Sequence, residues 1–350
     1  MTDHAEPGGS LGITITDVAA AAGVSIRTVS RVLNDSPKVS GDTRGRIEAA
    51  IDRLGFTRSA RARALATGRS FLLGVVQDDP NAQVIGVFQR GIVEVCAALG
   101  YELVVHPAKV ADPELTRNIE DFVTRSRVDG LILLPPISEI AAIPVALARL
   151  RVPSVGIASV RVPGYPAMLV SDERAAAGLL ADHLVALGHR RIAMITGPLH
   201  FRSACERRQG FCDALHRHGV DLDARYVREG DYTFPSGLAA AATLLDEAAP
   251  PTAIFASNDI MAAAVLKFAA ERRITVPGDL SVVGFDDSAI AEMVSPALTT
   301  IRRPLLDLAR AATEQLTRLI SVSPEVPHET VYQLTVVVRG STGVAPGERK

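Results

Sequence analysis

At 350 residues the chain is longer than one ordinary domain, and its 47% hydrophobic and 22% charged residues provide ample material for buried cores. No apolar run is long enough to span a membrane, and the start MTDHAEPGGS is acidic and lacks the apolar stretch of a secretory signal, so a cytoplasmic protein is expected. Formal net charge is −2, but residues 11–70 carry ten Lys and Arg against five acids, a net +5, while residues 71–350 are net −5. A basic head on an acidic body suits a polyanion-binding module attached to something else, or a solvated basic face. The three cysteines (Cys96, Cys205, Cys212) have no metal-ligand spacing and form no even framework. They are read as reduced, buried thiols, and no metal or cofactor is expected.

Residues 1–12 hold Pro7, Gly8, Gly9, Ser10 and Gly12 and read as a flexible tail. Residues 14–55 read as three short helices. Thr16 or Asp17 is expected to cap the first, which runs through VAAAA to a turn at Gly23. Ser25 caps the second, which ends near Asn34. Val39-Ser40 opens the third, where Ile47, Ala50, Ile51 and Leu54 keep helical spacing and Gly55 supplies the stop. The bridge SARARALATG (59–68) is rich in Ala and Arg with one large apolar residue, Leu65, and is a marginal helix on its own. From Phe71 onward apolar strands alternate with amphipathic helices. The strand candidates are 72–76, 102–106, 130–135, 152–158, 192–197, 253–258 and 280–287. Near-continuous apolar strands separated by helices predict parallel sheets covered on both faces, and about 280 residues of them predict two α/β lobes.

In the head, a small residue at Ala19, a glycine at Gly23 and a plug at Val29 suit a helix-turn-helix. The second helix would turn Ile26, Arg27, Ser30, Arg31 and Asn34 outward, and such a helix enters the major groove, where arginine reads guanine. An ordinary three-helix bundle with a charged face shows the same spacing. The fuller string TITDVAAAAGVSIRTVSRVLNDSPKVSGDTRGRIEAAIDRLGF (14–56) resembles the head of the LacI/GalR family of bacterial repressors through D-V-A-x-x-A-G-V-S-x-x-T-V-S-R-V-L-N followed by V-S-x-x-T-R. The resemblance places Ile26, Arg27 and Arg31 at the family's main base-contacting positions. It places Thr16, Ser25, Thr28 and Ser30 where members touch phosphate or bases. In the bridge, Ala62, Arg63 and Leu65 match the family's hinge helix, while its usual Pro-Asn pair has become Arg58-Ser59. By resemblance Leu65 is an apolar wedge for the minor groove; otherwise it anchors against the body.

In open parallel sheets, ligands bind beyond the C-terminal strand ends. Polar residues collect there: Gln77-Asp78-Asp79, Asp231-Tyr232, Asn258-Asp259 and Asp286-Asp287. They suit a polyhydroxylated ligand, although Asp and Asn are also common caps, and Asp259 can simply cap its helix. HLVALGHRRIAMITG (183–197), ERRQGF (206–211), FASNDIMA (255–262) and VPGDLSVVGFDDS…PALTTI (276–301) resemble the family's effector core, which is related to periplasmic sugar-binding proteins. The resemblance implies a tail at 1–12, a DNA-binding head at 13–58, a hinge helix at 59–69 and an effector-binding and dimerisation core at 70–345. Within the core, lobe one spans about 70–169 and 302–328, and lobe two about 170–299 and 331–343. Asp78, Ser203, Arg207, Tyr232, Asn258 and Asp286 fall at effector positions, with Arg207 and Asp286 as the leading pair. Two departures stand out: Ala82-Gln83-Val84-Ile85 replaces N-P-F-F, and Ala158-Ser159 replaces an Asp-Arg pair. The lobe-one half of the pocket is therefore expected to be less polar than usual.

The expected function is a dimeric regulator of a pseudo-palindromic DNA operator, tuned by a sugar-like effector. A nucleobase or nucleoside effector, and a solute-binding protein, are the alternatives. No G-x-S-x-G, P-loop or G-x-G-x-x-G supports an enzyme, and His183 and His189 read as structural.

Overall fold

The computed structural model describes residues 13–33, 36–56, 68–78, 82–321 and 328–347. The chain divides into two units, Met1–Ser70 and Phe71–Lys350. The expected tail, Asn34, and Ala62, Arg63 and Leu65 of the bridge lie outside the described residues.

The first unit holds helices α1 (Ile15–Ala22), α2 (Ile26–Leu33) and α3 (Gly41–Leu54). Val18, Ala19, Val29, Val32, Ile47 and Ala50 make its buried core. The first cap differs from expectation. Helix α1 begins early enough that Thr14 is its N-cap, and Asp17, three residues on, accepts from the Thr14 amide at 2.8 Å and hydroxyl at 2.7 Å. Gly23 closes α1 at φ 66°, a left-handed conformation that glycine adopts without strain. Ser25 caps α2 by accepting from the Thr28 amide at 3.2 Å.

The second unit contains two parallel sheets. The six-stranded sheet runs β11-β5-β4-β3-β1-β2, with β1 Leu72–Gln77, β2 Glu102–Pro107, β3 Gly130–Leu133, β4 Ser154–Ala158, β5 Ala167–Ser171 and β11 Glu329–Tyr332. The four-stranded sheet runs β7-β6-β8-β9, with β6 Ile192–Thr196, β7 Val227–Glu229, β8 Ala253–Ala256 and β9 Ser281–Val283. All neighbours within both sheets are parallel. Strands β10 (Thr300–Arg302) and β12 (Thr335–Val337) form an antiparallel pair packed into the second lobe's core.

Helices cover both faces, as near-continuous apolar strands require. On the first sheet, α4 (Ala82–Leu99) and α12 (Leu305–Ile320) bury Phe88, Ile92, Leu308 and Leu316 on one side. On the other, α5 (Leu115–Ser126) and α6 (Ala142–Arg149) bury Ile119, Phe122, Ile143 and Leu147. The second sheet carries α7 (Glu173–Ala186) and α8 (Arg202–Arg217) on one face. Its other face carries α9 (Phe234–Leu245), α10 (Asp259–Glu271) and the short α11 (Ala289–Met293). The chain passes between the lobes at residues 171–173, 302–305 and 332–335. Expected strands 72–76 and 102–106 appear almost unchanged, and β7 precedes Asp231-Tyr232 as their placement at a strand end implied, whereas β5 and β10 to β12 were not expected.

One thiol reading needs correction. Cys96 is buried and Cys212 half-buried, but Cys205 is exposed on α8, its Sγ 3.0 Å from the Leu199 carbonyl. The histidines are structural in their bonding: His183 pairs with Thr342 at 3.1 Å, and buried His189 engages Thr252 at 2.9 Å and Ser281 at 3.0 Å.

Candidate functional site

The first candidate surface is α2. Its buried residues Val29 and Val32 fix one face to the core and so turn the other to solvent. Ser25, Ile26, Arg27 and Arg31 are exposed, and Ile26 keeps 47% of its surface despite being a large aliphatic. Arg27 and Arg31 are four residues apart, hence stacked along the helix, and neither side chain has an acidic partner among the described residues. Thr28 and Ser30 are half-buried, and the Thr28 hydroxyl is shared with Ser25 at 2.8 Å. Thr16 is exposed on α1.

The second is a cleft between the lobes. Its lobe-one wall is apolar, built from Val84, Ile85, Phe88, Leu134, Pro135 and Pro136, with Asp78 at its edge. Asp78 also accepts from the Val110 amide at 2.9 Å, which ties down the chain after β2. The lobe-two wall is polar and aromatic: Glu173, Phe201, Ser203, Arg207, Tyr232, Asp286 and Arg303.

Two glycines let this wall assemble. A Cβ on Gly210 would stand 1.9 Å from the Arg174 carbonyl, so only glycine lets α8, which carries Arg207, approach the first turn of α7. A Cβ on Gly197 would meet the Tyr232 ring at 2.1 Å. Tyr232 and Asp286 both hold positive φ (67° and 118°), strained backbone of the kind that clusters at binding sites.

At the centre, four buried side chains close on one another. Arg207 Nε donates to Glu173 at 2.7 Å, its Nη1 donates to the Ser257 carbonyl, and its Nη2 lies 3.8 Å from Asp286. Arg303 reaches Glu173 at 3.2 Å and Asp286 at 2.9 Å. Burial alone pushes the Glu173 carboxyl up, but the Arg207 and Arg303 guanidiniums outweigh it and hold the group below its ordinary value. The Arg207 guanidinium stacks on Phe285, 3.9 Å from the ring centroid. The cluster therefore carries two cations and two anions, while the Arg303 Nε–H has no hydrogen-bond partner among the described residues.

The structure brings Asp78, Ser203, Arg207, Tyr232 and Asp286 to one cleft. Asn258 stands apart from the lining. It caps α10, accepting from the Met261 amide at 2.9 Å and donating to the Tyr232 carbonyl at 3.0 Å, so it supports Tyr232 from behind. Asp259 is not the cap. Its carboxylate is buried and accepts from Ser288 at 2.7 Å and Thr300 at 2.6 Å, and burial pushes its pKa up to about 7. Ser159, one of the departures, donates from its amide to buried Glu139 at 2.8 Å. Sequence reasoning missed Glu173 and Arg303. Both read as ordinary charges beside helix starts, and Arg303 lies two residues past the matching segment PALTTI.

Residues 14–59 match the model for bacterial regulatory proteins of the lacI family, and residues 181–342 match that for a periplasmic binding protein-like domain. The HTH-type transcriptional regulator MalR of Streptomyces coelicolor is 34% identical over 96% of this chain and 98% of its own. This chain belongs to the LacI family of DNA-binding transcriptional regulators. Among solved structures, the lac repressor dimer bound to operator and an anti-inducer superposes with a TM-score of 0.82 at 31% identity, covering 95% of this chain and 99% of that one. The transcriptional regulator CelR in complex with cellobiose superposes at 0.68 with 30% identity, covering 94% and 99%. Among the described residues, no helix of this LacI-family regulator is long and apolar enough to cross a membrane.

Proposed function

We propose that this regulator is a repressor that binds a pseudo-palindromic operator as a dimer, with DNA affinity set by a neutral, sugar-like effector in the cleft. The observation that carries the effector class is the closed cluster of Arg207, Arg303, Glu173 and Asp286. A guanidinium fork and a carboxylate side by side suit the paired donors and acceptors of adjacent hydroxyls. Because the charges compensate one another, a phosphate finds no uncommitted cation there. The cellobiose complex of a related regulator supports a sugar. On the head, Ile26, Arg27 and Arg31 would read base edges, and Ser25, Thr28, Ser30 and Thr16 would serve phosphates or bases. The repressor binds DNA through linkage: a ligand that prefers one arrangement of the lobes shifts operator affinity by its preference.

A nucleoside remains the second reading, favoured by the parallel rings of Phe201 and Tyr232, 6.5 Å apart, opposite an apolar wall. Melting the full chain with neutral sugars, sugar phosphates, polyols and nucleosides tests both. A ligand at a hundred times its Kd adds about 2.7 kcal/mol to the folded state. Stabilisation by neutral sugars but not their phosphates is expected. Stabilisation by nucleosides alone would overturn the sugar assignment.

A further inference from the structure

Two members of the buried cluster are supplied by the hinge itself. Glu173 ends the first crossover between the lobes, 171–173, and Arg303 lies on the second, 302–305. The crossovers are also tied by backbone: Asp172 N–H donates to the Tyr332 carbonyl of the third at 3.2 Å, and Arg303 N–H of the second donates to the Asp286 carbonyl at 3.4 Å. We infer that Glu173 and Arg303 are positioning residues that join effector cleft and hinge into one electrostatic unit, whose charge parity holds the crossovers in place.

The physics is that of a buried, balanced quartet. The Arg207, Arg303, Glu173 and Asp286 side chains are each at most 6% exposed, so water screens none of them. Removing one charge leaves three, with one uncompensated in a low-dielectric setting, which costs far more than the lost pair alone. Removing one cation and one anion together restores neutrality. Of the nearby acids, Asp259 is held by Ser288 and Thr300, while Glu139 accepts from Ser159 through one oxygen and its other carboxyl oxygen has no hydrogen-bond partner among the described residues. With the quartet unbalanced, the least costly relief is to admit water by loosening the crossovers, because few chain links hold the lobes there. An effector seated on Arg207 and Asp286 then acts on the hinge through atoms that Glu173 and Arg303 already hold. This consequence rests on the cleft being the effector site; the parity argument does not.

The test is hydrogen–deuterium exchange of the full chain without ligand, comparing wild type, Glu173→Gln, Arg303→Gln and the double variant. Each single variant is expected to speed exchange in peptides spanning 171–173, 302–305 and 332–335 by about tenfold or more, with the double returning to within about threefold of wild type. Strands Leu72–Gln77 and Ala253–Ala256 should keep wild-type protection in every variant. Arg303→Lys keeps the charge and should exchange like wild type at the crossovers. The inference is overturned if the singles leave the crossovers unchanged, if the double is as fast as the two singles multiplied, or if Arg303→Lys is as fast as Arg303→Gln. Faster exchange that is uniform through both core strands also overturns it, since that marks global destabilisation. No effector is added, so such a failure is distinct from failure of the sugar assignment.

Discussion

Arginines serve two unlike tasks in this chain, and their surroundings separate them. Arg31 is exposed and has no acidic partner among the described residues, while Arg207 is buried against Glu173. Arg31→Ala should weaken binding to DNA selected by the wild type from a random library by about 1–3 kcal/mol, one good base contact, and leave ligand-induced melting shifts unchanged. Arg207→Ala should abolish those shifts and lower the melting temperature of the core; an intact ligand response would remove Arg207 from the pocket. Asp259 offers a test by pH. Its folded pKa of about 7 lies above the ordinary value, so the fold binds the proton more tightly than the unfolded chain. Stability is therefore lost as pH rises from the unfolded value through about 7, where the buried carboxylate must ionise. Asp259→Asn removes that titration. Calorimetry should show wild type losing more stability than the variant between pH 5.5 and 8. Parallel profiles would mean that Asp259 does not titrate there.

Helices and turns show what local sequence can and cannot reveal. Ser25, Gly23, Ile47 and Gly55 were legible because a cap, a left-handed turn or a helical stripe is set by residues within one or two turns. The Thr14 cap was missed by two residues because three polar residues, Thr14, Thr16 and Asp17, compete at that start. Strand β11 was missed because it is short and its partner β5 lies far back in the sequence. Glu173 and Arg303 were illegible for the same reason: 130 residues separate two charges that only the assembled hinge brings together. Glycines make the contrast measurable within helices. Gly210→Ala should destabilise the core by about 1–3 kcal/mol or more, since α7 and α8 must part to admit a methyl group. Gly86→Ala, in α4 with nothing within 4 Å of the added carbon, should stabilise by about 0.5–1 kcal/mol through helix propensity. Thermal melts of both variants check the pair, and equal effects would refute the close approach at Gly210.

For the whole molecule, the division into a small basic head and a large acidic body was legible in charge and composition, and the two-lobed core in its alternating pattern. Assembly is the remaining question at this scale. One recognition helix reaches few base pairs, so a pseudo-palindromic operator calls for two heads held by the bodies. The core offers apolar surface for this. Helix α4 exposes Val93 and Leu99, each 49%, and the adjoining edge strand β2 exposes Val105, 41%. An edge strand with an apolar residue outward is a liability in a monomer and ordinary in a dimer, where the partner covers it. Light scattering behind size exclusion should give twice the chain mass. Val93→Asp with Val105→Asp should shift it towards the monomer and weaken operator binding, because each head would then have to find its half-site alone. A tetramer in the wild type would overturn the assembly proposed here, and a dimer indifferent to both substitutions would move its interface elsewhere on the body.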